Sequence, residues 1–241
     1  MDTPKKLEEL KIQIFSDGAG EADMLALAEK PYIKGFTTNP TLMREAGVEH
    51  YEAFAHEILA KIPDKSISFE VFSDDFDEME RQARLIHSWG ENVFVKIPSM
   101  NTKGESSAAL IAKLTGDGIN VNATMIIGMP EIRMAADALS PSAKGYISVF
   151  AGRAADVGVD PLPLMREAKA LLADKPHISL LWASTREVFN IYEAEEAGAD
   201  IITVPPKILE KAEKVGASLA ELTLEGVKRF YEDGKAAGYS L

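Results

Sequence analysis

Three residues able to do chemistry stand inside runs that are otherwise apolar. They are Glu70 in Phe69-Glu70-Val71, Lys96 in Val95-Lys96-Ile97 and Asn122 in Val121-Asn122-Ala123. Burying such groups is costly unless they are paired or used. A lysine that loses its hydration favours the neutral amine, the form that attacks carbonyl carbon. Asp17 and Glu70 are candidate carboxylates for the general acid and base steps such an attack needs. The residue types together point to nucleophilic attack on a carbonyl compound. Each also has a plainer reading. Glu70 and Lys96 are also compatible with a structural ion pair, Asp17 with a helix cap, and Thr38-Asn39-Pro40 with a helix start. Arg153 and Arg186 are compatible with ordinary surface charges. The chemical reading gains weight because polar residues fall at corresponding places on seven successive candidate strands.

Those strands follow from the hydrophobic pattern. Short β-branched or aromatic runs at Ile12–Ser16, Ile33–Thr37, Ser66–Phe72, Asn92–Ile97, Ile119–Met125, Tyr146–Phe150, Ile178–Ala183 and Ile201–Val204 alternate with longer segments of helical period. Met79, Ala83, Ile86 and Trp89 share one face of a helix over Phe76–Trp89. Thr41–Ile62 and Thr185–Ala197 read the same way, and Ala197-Gly198-Ala199-Asp200 reads as a helix stop before the last strand. Eight βα units predict an α/β chain forming a single (β/α)8 TIM barrel over 1–241, with a C-terminal helical appendage at 219–241. A doubly wound open sheet is the alternative, and the short, little-punctuated units favour closure. In a barrel the functional residues gather at the carboxyl ends of the strands.

Composition narrows the partners. The net charge of −12, from 26 basic and 38 acidic residues, opposes non-specific nucleic-acid binding. It leaves room for a small phosphorylated ligand, which needs only local arginines and backbone amides. The absence of Cys excludes disulfides and thiolate metal sites. His50, His56, His87 and His177 lack ligand spacing, so no metal and no cofactor is expected. No apolar run is long enough to span a bilayer, and Met1-Asp2-Thr3-Pro4-Lys5-Lys6 leads into a polar stretch unlike a signal region. The expectation is a cytoplasmic protein with no membrane association.

With these motifs in view, the chain resembles the transaldolases and the related fructose-6-phosphate aldolases. The resemblance is carried by Gly35-Phe36-Thr37-Thr38-Asn39-Pro40-Thr41-Leu42, Val95-Lys96-Ile97-Pro98 and Val121-Asn122-Ala123-Thr124. It extends to Ile147-Ser148-Val149-Phe150-Ala151-Gly152-Arg153, whose usual form has Pro where Val149 stands, and to Ala183-Ser184-Thr185-Arg186. It implies that Lys96 forms an iminium with a ketose C2 carbonyl and that Asp17 takes the C4 hydroxyl proton. Glu70 and Thr124 would hold and activate water. Thr38 belongs to the strand-two signature and joins the substrate-binding set. Asn39, Asn122 and Ser148 would bind the donor, while Arg153, Ser184 and Arg186 would grip its phosphate. Glu70 stands where the aldolase branch resembles it with Gln, and Phe150 where that branch has Tyr. Both differences favour transfer of a dihydroxyacetone unit between sugar phosphates.

Two alternatives stay open: an aldolase that releases free dihydroxyacetone, and a non-catalytic sugar-phosphate-binding barrel. The resemblance also implies a homo-oligomer. Leu224, Val227, Phe230 and Tyr231 on the appended helix would either meet a neighbouring copy or close the helix onto its own barrel.

Overall fold

In the computed structural model, which describes residues 4–239, each of the eight short β-branched runs forms a parallel strand. The first three residues of the polar start lie outside the described residues. After a helical turn at Leu7–Glu9, the chain runs β1 (Gln13–Asp17), α1 (Glu21–Ala28), β2 (Ile33–Thr37), α2 (Pro40–Glu45), α3 (Tyr51–Lys61) and β3 (Ser66–Glu70). It continues through α4 (Phe76–His87), β4 (Val93–Pro98), α5 (Ala108–Gly116), β5 (Val121–Ile126), α6 (Met129–Ala138) and β6 (Gly145–Val149). Then come α7 (Ala151–Asp156), α8 (Pro161–Leu171), β7 (Ile178–Trp182), α9 (Phe189–Glu196), β8 (Ile201–Val204), α10 (Pro206–Ala212) and α11 (Leu219–Ala236). The strands pair in chain order, and β1 pairs with β8 to close an eight-stranded barrel.

Side chains alternate across each strand, and the two faces differ sharply. Outward-facing residues such as Ile67, Phe69, Val95, Ile97, Ile147 and Trp182 pack against the helices in the main core. From α4 that core receives Met79, Ala83 and Ile86, the face expected from their spacing. Inward-facing residues form two layers. Phe15, Phe94, Tyr146, Leu181 and Ile201 fill the lower one, where the rings of Phe94 and Tyr146 stack at 3.9 Å. One strand step higher the inward positions are polar: Asp17, Thr37, Lys96, Ser148 and Thr203. The aromatic layer is the floor on which the polar layer rests.

Three expectations are corrected in detail. Thr41–Ile62 is two helices, because Gly47 in the left-handed region (φ 74°) ends α2 before α3 begins at Tyr51. Thr185–Ala197 is helical only from Phe189. The Oδ1 of Asn190 instead accepts from the N–H groups of Arg186 and Glu187 and holds them in a loop. Phe150 lies beyond the end of β6, as the residue preceding α7. The stop after α9 is as expected, with Gly198 at φ 80°. No residue of α11 is buried, so it does not close onto its own barrel, and Phe230 remains 77% exposed.

Gly35 marks the tightest approach inside the barrel wall. A Cβ there would lie 2.7 Å from the Phe15 ring and 2.8 Å from the Ser66 carbonyl oxygen. Gly35→Ala is expected to cost on the order of 1–3 kcal/mol by overpacking. Its urea midpoint should fall relative to wild type; an unchanged midpoint would refute this packing account.

Candidate active site

The strand register sets the chemistry-bearing residues side by side. Glu70 is opposite Lys96 in the β3–β4 ladder, and Lys96 is opposite Asn122 in the β4–β5 ladder. Lys96 is 4% exposed. Its Nζ donates to the Thr38 carbonyl at 2.8 Å and lies 3.1 Å from Glu70 Oε2. A buried ammonium needs such partners, since its desolvation is otherwise uncompensated. A cavity of about 440 Å³ opens over this group at the carboxyl ends of the strands. Asp17, Asn39, Glu70, Lys96, Thr124 and Ser148 line it, with Phe150, Arg153, Ser184 and Arg186.

Asp17 is across the cavity, in register with Thr37. The Thr37 hydroxyl donates to Asp17 Oδ1 at 2.7 Å and also meets the Thr203 hydroxyl. Burial pushes the Asp17 carboxyl above its ordinary range, against the pull of the Lys96 charge and the Thr37 hydrogen bond, with the Glu70 charge adding to the rise. Asp17 does not cap a helix; Gly20 precedes α1 instead. Thr124 is 1% exposed, and its hydroxyl has no partner among the described residues although it is buried at the cavity wall. Buried hydroxyls normally find a partner, so Thr124 is equipped to bind a water molecule or a substrate oxygen.

Asn122 and Ser148 form a chain: Ser148 Oγ donates to Asn122 Oδ1 at 2.7 Å, and Asn122 Nδ2 donates to Ser68 Oγ at 3.1 Å. Asn122 is fully buried behind the cavity lining. Thr38 is also behind the lining. Its hydroxyl donates to the Ser68 carbonyl at 2.8 Å, and its own carbonyl is what holds Lys96. Asn39 lines the cavity while its Oδ1 caps α2 by accepting from Leu42 N–H, with Pro40 at the first helical position. The helix-start reading of Thr38-Asn39-Pro40 therefore holds together with its place at the site.

The rim between β6 and β7 is cationic. Arg186 makes a forked pair with Asp156, Nε to Oδ1 at 3.0 Å and Nη2 to Oδ2 at 2.5 Å. The Arg153 guanidinium lies 5.7 Å from the centre of the Phe150 ring and has no carboxylate within 4.0 Å among the described residues. Ser184 has a positive φ of 66°. The turn there comes so close to α7 that a Cβ on Gly152 would be 1.7 Å from the Ser184 carbonyl oxygen. Only glycine lets the two segments bring both arginines to one rim. A larger, mostly apolar groove of about 720 Å³ borders the site across Met125, but it is lined by no lysine, arginine or histidine. No group of three histidines, cysteines or carboxylates among the described residues is arranged to hold a metal ion.

The residues singled out from the sequence include most of the polar lining of the site, with Thr38 and Asn122 behind it, but not Thr37 and Thr203 in the lining or Ser68 behind it. Thr37, Ser68 and Thr203 sit on the inward side of their strands, so a strict period-two count would have found them. Tyr51, which bonds the main chain of Glu70 from α3, carried no such signal.

The raised Asp17 carboxyl makes stability depend on pH. Folding favours its neutral form, so that stability is fully present below the unfolded titration range, roughly pH 4, and is lost as pH rises through the elevated folded value. Asp17→Asn is therefore expected to melt above wild type at neutral pH, with the gap shrinking as pH falls toward 4. A melting difference that stays constant across that range would rule out the burial effect.

The family model described as Transaldolase/Fructose-6-phosphate aldolase matches residues 14–241. A protein of Roseiflexus castenholzii named "Probable transaldolase" is 37% identical over 226 residues, covering 93% of this chain and 98% of that one. A "Probable transaldolase" of Nitrosopumilus maritimus is 31% identical over 227 residues, covering 93% and 97%. Among solved structures, orotidine 5'-monophosphate decarboxylase from Metallosphaera sedula superposes with a TM-score of 0.55 at 12% identity, over 87% of this chain and 98% of that one. That likeness concerns the barrel alone.

Proposed function

The chain belongs to the transaldolase/fructose-6-phosphate aldolase family, and on that premise we propose that it moves a dihydroxyacetone unit between sugar phosphates through a Schiff base on Lys96. The observation that carries this reading is the buried Lys96 amine, flanked by Glu70, sharing one cavity with Asp17 and the orphaned hydroxyl of Thr124. In this reading Glu70 takes a proton from the Lys96 ammonium, the freed amine adds to the ketose C2 carbonyl, and the proton returns to the departing oxygen, so that water leaves and an iminium remains. Asp17 takes the proton of the C4 hydroxyl, the C3–C4 bond breaks, and its electron pair passes into the iminium to form an enamine. An aldose phosphate then accepts the enamine carbon, its carbonyl oxygen takes the proton back from Asp17, and water releases Lys96. A carboxyl raised by burial suits a group that must both take and return a proton.

Support for transfer over release comes from the wall that faces the enamine. Phe150 lines it with a ring that has no hydroxyl to present a water molecule. Glu70, beside Lys96, would serve the hydration steps with Thr124, while Asn39 and Ser148 would hold the three-carbon unit, with Asn122 behind the lining orienting Ser148. Arg153, Ser184 and Arg186 would bind the phosphate, Arg186 exchanging Asp156 for the dianion. Among the described residues no helix is long and apolar enough to cross a membrane. Action on dissolved metabolites in the cytoplasm and self-association are part of the same proposal. For self-association, the support is α11, whose Leu224, Val227, Phe230 and Tyr231 are all more than half exposed.

Borohydride added with fructose 6-phosphate should leave a three-carbon adduct on the peptide containing Lys96, and none in Lys96→Met. Asp17→Asn should lower kcat on the order of 10²–10⁴-fold. Glyceraldehyde 3-phosphate should accumulate quickly only when an acceptor aldose phosphate is supplied. Equal release without acceptor would assign the free-dihydroxyacetone reaction, and tight binding with neither adduct nor turnover a non-catalytic barrel. In sedimentation, wild type should run as an oligomer that Val227→Asp/Phe230→Asp splits; a monomeric wild type would end the self-association proposal.

A further inference from the structure

At the site end of the barrel, the ladder between β2 and β3 stops one rung early. Thr38 N–H donates to the Ser68 carbonyl at 3.1 Å. The next rung of a parallel pair would send Glu70 N–H to the Thr38 carbonyl, and the Glu70 carbonyl would then take the N–H of residue 40. Residue 40 is proline and has no N–H. The phenol of Tyr51, the first residue of α3, stands in both missing places. It accepts from Glu70 N–H at 2.9 Å and donates to the Glu70 carbonyl at 3.0 Å. The Thr38 carbonyl, released from the ladder, accepts from Lys96 Nζ at 2.8 Å instead. Edge-on contacts with Phe69 and Phe72, and a tilted one with Trp89, fix the Tyr51 ring. Burial pushes the phenol well above its ordinary range, so it remains protonated and able to donate.

We propose that Tyr51 is a positioning residue for the nucleophile: by replacing the absent rung between β2 and β3, it reserves the Thr38 carbonyl for the Lys96 amine. The inference rests on the Schiff-base reading of Lys96. Without the hydroxyl, continued parallel pairing would offer Glu70 N–H the Thr38 carbonyl. Closing that rung would make Lys96 share the Thr38 carbonyl with a second donor, weakening that contact, and shift the Glu70 backbone that carries its other partner. The Glu70 carbonyl would be left unpaired, since Pro40 has nothing to donate.

The test is Tyr51→Phe, which keeps the ring and removes only the hydroxyl. Fructose 6-phosphate and borohydride are used with the full chain, following adduct formation on Lys96 over time. The final amplitude counts folded, competent sites, so the rate per site is independent of any loss of folded protein. The rate of adduct formation and kcat are expected to fall about 10–100-fold, by analogy with the loss of groups that orient metal-ligating side chains, with KM little changed. A variant with a lower melting temperature but a wild-type rate per site would show a purely structural tyrosine and overturn the proposal. Absence of an adduct in wild type would instead defeat the Schiff-base reading, and this inference with it.

Discussion

The structure depends on housing one ammonium group inside a closed barrel. Lys96 is buried, and two partners stabilise its charge: the Glu70 carboxylate and the Thr38 carbonyl. An ion pair out of water contributes little net stability, because desolvation offsets most of its attraction. Its value here is positional. The carboxylate holds the amine at one point of the cavity, and the register of β3, β4 and β5 sets Glu70, Lys96 and Asn122 in one row.

Two consequences follow for the interior. The layer beneath the lysine has to be apolar and rigid, and it is built from Phe15, Phe94 and Tyr146, with Tyr146 packed edge-on to Phe15 and stacked on Phe94. The layer at the level of the lysine is a connected polar network. Its members bond across strands, Thr37 to Asp17 and Thr203, Ser148 to Asn122 and Asn122 to Ser68. Thr124 is the exception, its hydroxyl at the cavity wall unpaired among the described residues. A buried group without a partner is a cost that a bound ligand can offset.

The barrel mouth is chemically divided. Its β6–β7 side carries Arg153 and Arg186, brought together by the close approach of Gly152 to Ser184. Its β4–β5 side is a groove with Met100, Met125 and Ile127 and no cation. Among the described residues the two non-glycine residues with positive φ, Met125 and Ser184, stand one on each side of this mouth. Strained backbone of this kind persists where the surrounding structure over-determines it, commonly at functional sites.

The amino-acid sequence by itself determined the eight strands, the barrel they imply and the identity of most of the polar residues that line the site, Thr37 and Thr203 excepted. Those features are written in local periodicity: apolar side chains facing the helices, polar ones embedded in strands. Gly47 ended a helix that the apolar spacing alone carried on to Ile62, and Asn190 held Arg186 and Glu187 in a loop where helical period was expected. Tertiary structure alone decided which candidates touch the cavity and which stand behind it. Thr38 has the residue type of a ligand-binding group, yet its hydroxyl is spent on Ser68 and its carbonyl on Lys96. Tyr51 looks like any aromatic on a helix face, and only the packing of α3 over β3 brings its hydroxyl to Glu70. The α11 side chains follow helical spacing, but whether they pack on the barrel depends on the path of the chain after α10. Periodicity reports which face a residue occupies; contact between residues distant in sequence depends on strand register and helix placement, which no local window contains.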